Sequence, residues 1–549
     1  MRAGLFASGL ITCLVIEACT TSSAAPKGEL AADQTLHVAI PAEVTLDPAQ
    51  IASDLEYSIG QNLFSGLFRF DEQLREKPDL AAAMPEVSSD GLVYTIKLRT
   101  DAQFWDGRPL TAQDVVYSWN RAVDENGAFA SIFGPVLGYQ EVQASLNNGS
   151  SPPPLSGLTA PDAHTVVIRL SAPAGYLTAT LAMPVAWPVN QADVDLYGRS
   201  WANGPNTAVG TGPFRLTSRT LGRSMTLVPV EHWWGGATGW LKKVTIDVVP
   251  DTNTEVRGYL AGRFDLVGLG GYGPNADGTI LGEMLAADRA RASEVHSFPF
   301  VRTDWIGFDL KSGPLAGADG ASGRRALSLA IDRMQLARAV CAGGILCVPA
   351  TGGLISKGLD GYLGDGSDPM SAFDPKAARA DLQQWDPDGT KRQKLTYVYV
   401  ANGLFRQVAD NLRDQWKANL GITVQLQGYD TYAFIYDRLF GDYTLFRGSW
   451  AADYNSPQDW YDTFLGSPDP NGSGYADPSF AALVSRADAS LGAVAEGQYR
   501  QAGRALVDQA VIAPLFYFTR TAAVKDYVDG FGASAFYVYP LKDVKILQH

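Results

Sequence analysis

Residues 90–122 read DGLVYTIKLRTDAQFWDGRPLTAQDVVYSWNRA, and the stretch predicts a strand, a turn and a helix in direct succession. Between Leu92 and Arg99, Leu92, Tyr94, Ile96 and Leu98 share one face while Val93, Thr95, Lys97 and Arg99 share the other. Successive side chains of a strand point to opposite faces of a sheet, so this period of two predicts a half-buried strand. Trp105-Asp106-Gly107-Arg108-Pro109 has the chemistry of a turn. Thr111 followed three residues later by Asp114 has the spacing of a capping box, and the helix it opens carries Val115, Val116, Trp119 and Ala122 on one side. Such a succession builds an α+β lobe rather than a helical bundle.

The flanking chain repeats this alternation. Short strands are predicted at 35–40, 165–170 and 264–267, with a turn at Leu46-Asp47-Pro48. Helices are predicted over 52–68, 251–260 (Thr252 and Glu255 in capping-box register) and 325–339. The clearest helix is 405–420, with Phe405, Val408, Ala409, Leu412, Trp416 and Leu420 on one face and Gly421 as its stop. Ile422, Val424 and Leu426 alternate after it. Further helices fall around 480–491 and 499–512, before an apolar strand at 514–518. The stretch NNGSSPPPLSGL, 147–158, is an exposed loop. The fold class is therefore mixed α/β, with helices on the faces of mixed sheets. At 549 residues the chain exceeds what one hydrophobic core organises, so two or three domains are expected.

A net charge of −14 argues against a nucleic-acid partner, which requires a basic face. The five histidines, at 37, 164, 232, 296 and 549, have no metal-ligand spacing, so no metal or cofactor is expected. The acidic stretches 365–368 and 469–471 do not follow the spacing of a calcium loop. VGTGPFRL at 209–216 lacks the Lys-Ser/Thr ending of a phosphate loop, and no nucleophile elbow or H-E-x-x-H motif occurs. Carboxylates are plentiful, but none are singled out as an acid pair, and no enzyme is predicted.

At the N-terminus, Arg2 precedes an apolar segment, 5–16, too short to span a bilayer. It ends at Ile16-Glu17-Ala18-Cys19, followed by a small polar tether. This resembles a bacterial lipoprotein signal (1–18) in which Cys19 carries the lipid, although Glu17 departs from the usual pattern. The alternative is an ordinary secretory signal cut nearby, and either exports the chain. In an exported chain Cys341 and Cys347, six apart in CAGGILC, predict a local disulfide, stabilising by about 2 kcal/mol.

The stretch RGSWAADYNSPQDW, 447–460, holds a cation, two indoles and Asp453, a carboxylate flanked by Ala452 and Tyr454. It is expected to leave a sheet after an apolar run (Phe440, Tyr443, Leu445, Phe446) and to line a cleft. Burying Asp453 there is costly without a cation, supplied either by a neighbour such as Arg447 or by a ligand.

The order of segments resembles the bacterial extracellular solute-binding proteins of family 5. The resemblance rests on LDPA at Leu46, QNLFSGLFRFDE at Gln61, the whole block 90–122, VGTGPFRL at Val209, EVRGYLAGRFDLV at Glu255, RRALSLAIDR at Arg324 and ADYNSP at Ala452. It implies a bilobed periplasmic-binding-protein-like type II fold with an additional domain and a ligand enclosed between two lobes. Carried onto this chain, the tether is 19–35, lobe I is 36–64, 200–300 and 516–549, the additional domain is 65–199, and lobe III is 301–515.

The resemblance further implies a binding protein that delivers short peptides to an ABC importer permease. It would be a monomer anchored through Cys19 to the outer face of the cytoplasmic membrane. The peptide main chain would pair with Ala52, Ser53 and Asp54 on one side and Ser449, Trp450 and Ala451 on the other. Asp453 matches the aspartate that binds the peptide α-ammonium, Arg447 a lining arginine, and Trp450 an aromatic wall. Some relatives carry a cysteine where Ala451 stands. No match is found for the residues that anchor a ligand carboxylate. The family also includes binders of opines, oligosaccharides, haem and metal chelates, and envelope regulators without transport roles, and these are the alternatives.

Overall fold

The computed structural model describes residues 28–268, 289–441, 443–466, 470, 472–532, 536 and 541–549. The signal segment, Cys19, Asp469 and Asn471 lie outside the described residues. The frame is an 11-stranded mixed sheet. At one side Thr35–Ile40 (β1) runs parallel to Lys243–Val248 and Leu266–Val267, and Ser224–Pro229 and Phe214–Thr220 continue the sheet antiparallel. At the other side Gln425–Tyr429 and Thr396–Val400 are parallel neighbours.

Between them lies Val295–Phe308 (β2), flanked by Leu445–Ala451 (β3) and Ile512–Val524 (β4), both antiparallel to it. β2 and β4 are 14 and 13 residues long, and each reaches from one half of the sheet into the other. Their pairing runs from Val295 opposite Ala523 to Gly307 opposite Ile512, with register shifts between Pro299 and Thr303 and between Asp304 and Trp305. Such irregularities bend a strand locally and raise its twist.

Each half has its own core. Leu36, Val38, Ile40, Phe214 and Ile246 pack with Trp201 in one. Ile306, Phe308, Leu412, Trp416 and Leu445 fill the other. The molecule is thus bilobed. A separate antiparallel sheet of four strands, Glu86–Val87, Val93–Lys97, Thr165–Arg169 and Leu158–Asp162, backs the helix Ala112–Asp124. Val115 and Trp119 of that helix share one core with Tyr94 and Ile96, and this core runs on into Trp460, Tyr461 and Phe480 of the second lobe. Arg121 Nη1 meets Asp47 at 2.8 Å, which also accepts the Trp201 indole N–H at 3.0 Å, so this unit is pinned to the first lobe as well.

Several elements differ from the sequence expectation. The helix expected over 52–68 is confined to Asp54–Gly60 (α1), and Phe68–Phe70 is a strand. Between them the chain passes against Trp187, where a Cβ on Gly66 would lie 2.7 Å from the ring. The helix expected over 325–339 is two, Ala321–Leu329 and Arg333–Val340. At the break the Asp332 side chain accepts from Gln335 N, and its own backbone N–H donates to Gln415 Oε1 at 2.6 Å. The N-cap of Thr252–Leu260 is Asp251, not Thr252. Phe440 ends a helix, Thr431–Phe440, and takes no part in the strand that follows. Cys341 and Cys347 are disulfide-bonded, with Cα atoms 5.4 Å apart. Among the described residues no helix is long and apolar enough to cross a membrane.

Trp119 is fully buried and donates its indole N–H to Ala186 O at 2.8 Å. Trp119→Ala should destabilise the unit around it by about 3–5 kcal/mol. Hydrogen exchange should show protection lost over Val93–Lys97 and retained over β1; equal loss in both would mean that the additional unit and the first lobe unfold together.

Candidate functional site

Strand β3 supplies the first half of the 447–460 stretch. Along it Ile306 faces Arg447, Trp305 faces Gly448, Asp304 faces Ser449, Thr303 faces Trp450 and Arg302 faces Ala451 across the β2 ladder. Position 448 admits only glycine, because a Cβ there would sit 2.0 Å from the Trp305 indole nitrogen. On its other edge β3 pairs with Thr396–Val400 only at Leu445 and Phe446. Among the described residues, no further strand pairs with the outer edge of Gly448–Ala451.

Beneath this ladder Asp304, 2% exposed, gathers three partners. Arg447 donates from Nε at 2.9 Å and lies 3.5 Å over the Phe405 ring. Arg302 Nε reaches Asp304 at 3.3 Å and Ser449 Oγ at 3.0 Å, and the Ser449 hydroxyl donates to Asp304 in turn. The structure therefore commits Arg447 and the Ser449 hydroxyl to the interior. Burial pulls the Arg447 guanidinium down from its ordinary value, and the Asp304 charge acts to restore it.

The second half of the stretch leaves the sheet. Ala452 N donates to Val301 O at 2.8 Å, the last tie to β2. Tyr454 stacks on Tyr176 of the additional unit, centroids 6.4 Å apart. Asn455 donates to Leu74 O and accepts from Asp360 N, both at 2.9 Å, which joins the second lobe to the additional unit. Ser456 caps the short helix Pro457–Tyr461 (α2), and Pro457 occupies its first turn, where no N–H is needed.

Asp453 is half-buried among these, and among the described residues no cation or hydrogen-bond donor meets its carboxylate. Burial pushes that carboxyl up to about 7. Asp459, on α2, turns back: its Oδ2 accepts the Trp450 indole N–H at 2.9 Å and the Asp453 backbone N–H at 3.2 Å. Burial, then the nearby Asp453, raises its carboxyl well above the usual range. Asp459 and Asp304 are the residues that sequence reasoning missed. Asp459 stands in the quoted stretch, but only the fold of α2 directs it at Asp453.

On the first lobe, Ala52 and Ser53 are exposed and Asp54 is half-buried. The backbone N–H groups of Ala52 and Ser53, expected to face a ligand, donate to Glu56 Oε2 at 2.9 and 3.1 Å. Ser53 caps α1 in a capping box with Glu56. Asp54 pairs with Arg520 of β4 at 2.7 Å. A cavity of about 540 Å³ lies between the additional unit and the second lobe, lined in part by Tyr176, Asp360, Glu496, Tyr499 and Arg500. None of the residues singled out in the sequence as ligand-binding lines it.

The sequence pattern of the bacterial extracellular solute-binding proteins, family 5 (middle region), matches residues 76–472. The periplasmic murein peptide-binding protein MppA of Escherichia coli is 29% identical over 493 residues, 89% of this chain and 88% of its own. The periplasmic oligopeptide-binding protein OppA of the same organism is 27% identical over 551 residues, 96% of each chain. The probable deoxycholate-binding periplasmic protein YgiS, also of E. coli, is 28% identical over 498 residues, 89% of this chain and 88% of its own. A structure of MppA in its unliganded open form superposes with a TM-score of 0.81 at 27% identity, covering 95% of this chain and 99% of that one.

Asp304→Ala should leave Arg447 buried without its counter-charge and cost about 3–5 kcal/mol in denaturant unfolding. The double variant Asp304→Leu/Arg447→Leu should recover most of that loss. If the single and double variants were equally unstable, packing at these positions rather than charge pairing would hold the two strands.

Proposed function

The chain belongs to the bacterial extracellular solute-binding proteins, family 5, and on that premise we propose that it captures short peptides between its two lobes and hands them to the permease of an ABC importer. The observation that carries the reading is the Asp453 carboxylate, placed just past an open strand edge and met, among the described residues, by no cation. A peptide brings both complements: a main chain able to extend the sheet at Gly448–Ala451, and an α-ammonium at its end. Main-chain pairing is indifferent to side chains, so one edge can serve many sequences. Trp450 is the aromatic wall of that edge.

The pairing proposed for the first lobe is narrower than for the second, because Glu56 already occupies the amides of Ala52 and Ser53. Arg447 acts through Asp304 rather than on a ligand carboxylate. We place the boundaries of the lobes at 36–64, 200–300 and 516–549 for the first and 301–515 for the second, with 65–199 the additional domain. The 300/301 boundary coincides with the register shift in β2 that can absorb a hinge rotation. The role requires binding and release, with no chemistry on the ligand and no cofactor. Cys19 is proposed as a lipid-bearing residue that holds the monomer at the outer face of the cytoplasmic membrane.

Similarity to a probable deoxycholate-binding protein favours one second reading, the same cleft taking a non-peptide solute. Mass spectrometry of whatever is released from the purified, denatured protein separates the two. A ladder of short peptides supports the first, and a single non-peptide species supports the second. Asp453→Ala should weaken binding of free-amine peptides by about 1.5–3 kcal/mol, roughly ten- to 150-fold, while leaving the melting temperature of the empty protein no lower. Calorimetric titration reads the effect, and unchanged affinity would remove Asp453 as the anchor.

A further inference from the structure

The two strands that join the lobes change company at one level. β2 slips register between Pro299 and Thr303. On its edge away from β2, β4 pairs with Cys347–Pro349 at Phe516 to Phe518, towards the second lobe, and with Leu266–Val267 at Ala523 and Val524, towards the first. Among the described residues no strand pairs with that edge between Phe518 and Ala523. Over this joint lies the loop closed by the Cys341–Cys347 disulfide. Its stem is rooted in the second lobe. Arg333, at the start of the helix Arg333–Val340, donates from Nε to Pro514 O at 2.6 Å, and both cysteines are buried in the core that holds Leu412 and Phe516. Its tip reaches across the joint. The Ile345 carbonyl accepts from the hydroxyls of Ser297 on β2 at 3.0 Å, of Thr519 on β4 and, at 3.4 Å, of Thr521 on β4. The Thr519 N–H donates to Leu346 O at 3.0 Å. Ser297 and Thr521 are opposite each other in the ladder and Thr519 is two residues away, so the three hydroxyls stand on one face of the ribbon.

Closing so short a loop takes little freedom from the unfolded chain, so stability is the smaller part of what this bond supplies. Inside the loop Ala342 has φ 48°, in the left-handed region that a side chain disfavours, and Gly344 has φ 102°. A non-glycine residue stays in that region where its surroundings over-determine it. Here the disulfide does so, together with the bonds of Gly344 N and Leu346 N to Cys341 O at 2.9 and 3.2 Å. Resting on the reading of the molecule as a binder that closes between its lobes, we propose that the loop 341–347 is a clamp on the hinge. Its disulfide holds the Ile345 carbonyl astride both connecting strands and so narrows the range of angles that the empty lobes adopt.

Ile345 moves with the second lobe, whereas Ser297 and Thr521 lie on the first-lobe side of the register shift. Rotation of one lobe against the other drags the carbonyl past these hydroxyls, and a hydrogen bond weakens steeply as it bends. Wide excursions therefore break bonds that narrow ones keep, which gives the joint a preferred angle. Without the disulfide, Ala342 relaxes out of its left-handed turn and the carbonyl follows the strands. Cys341 and Cys347 are 1% and 0% exposed, so solvent reductants do not reach the bond in the folded protein. The clamp is a fixed part of the hinge rather than a redox switch. It touches no wall of the cleft, and it sets how far the lobes swing without altering what they grip.

The test is the distribution of interlobe distances in the full chain, stripped of ligand. It is read by electron–electron double resonance between spin labels carried on non-canonical residues at Arg223 and Lys417, both exposed and one in each lobe, so that the cysteines stay in place. Two variants act on the clamp independently. Cys341→Ala/Cys347→Ala removes the bond, and Thr519→Val/Thr521→Val keeps the bond and the side-chain shape but removes two of the hydroxyls. Both should widen the distribution, and exchange of the Thr519 amide should become about tenfold faster. Leu412→Ala, in the core of the second lobe away from the joint, should lower the melting temperature and leave the width as in the parent. A cysteine variant that melts earlier with an unchanged distribution would reduce the disulfide to a loop staple and overturn the clamp. So would an unchanged width in the threonine variant, or equal widening in Leu412→Ala. The measurement needs no ligand, so a failure of the peptide reading leaves its outcome untouched.

Discussion

The arrangement of the cleft depends on one buried carboxylate. Asp304 sits on β2 beside the second register shift and binds Arg447 and Ser449 from β3 together with Arg302 from its own strand. An unpaired charge at that depth would be prohibitive, so the cluster stands or falls as a unit. It fixes the strand that carries the open edge, and it withdraws both nearby guanidinium groups from the pool of cations. Among the described residues, neither of these guanidinium groups is left to meet Asp453.

That division of labour makes the acidic residues of the region unequal. Asp304 is neutralised inside the protein and acts as structure. Asp453 is neutralised by nothing in the described chain, and Asp459 holds it in place through backbone and indole contacts. On the proposed reading, such a site would select for charge at the end of a ligand and for extended backbone along it. It would leave side-chain preference to the walls, of which Trp450 is one.

Much of this was legible in the sequence where physics is local. Thr111 and Asp114 form the capping box that their spacing announced, and Phe405 to Leu420 bury the face that their period of 3.6 marked out. Asp453 attracted notice for its apolar flanks, and among the described residues no cation pairs with it. The failures occur where distant chain intervenes. The helix at 325–339 breaks because Gln415, some eighty residues on, takes the Asp332 N–H. Arg447 looked available to a ligand because its partner comes from 143 residues earlier in the chain. The amides of Ala52 and Ser53 looked free because the reach of Glu56 backwards over α1 was not considered, although a Ser-x-x-Glu spacing was there to be read.

The two strands shared by the lobes are separated by some two hundred residues of sequence, and the later one, β4, lies in the interior of the sheet. Neither lobe can complete its sheet until residue 524 has been made. Folding of both lobes therefore waits on one late strand, since contacts so distant in sequence form late. A truncation that removed β4 would disable both lobes at once.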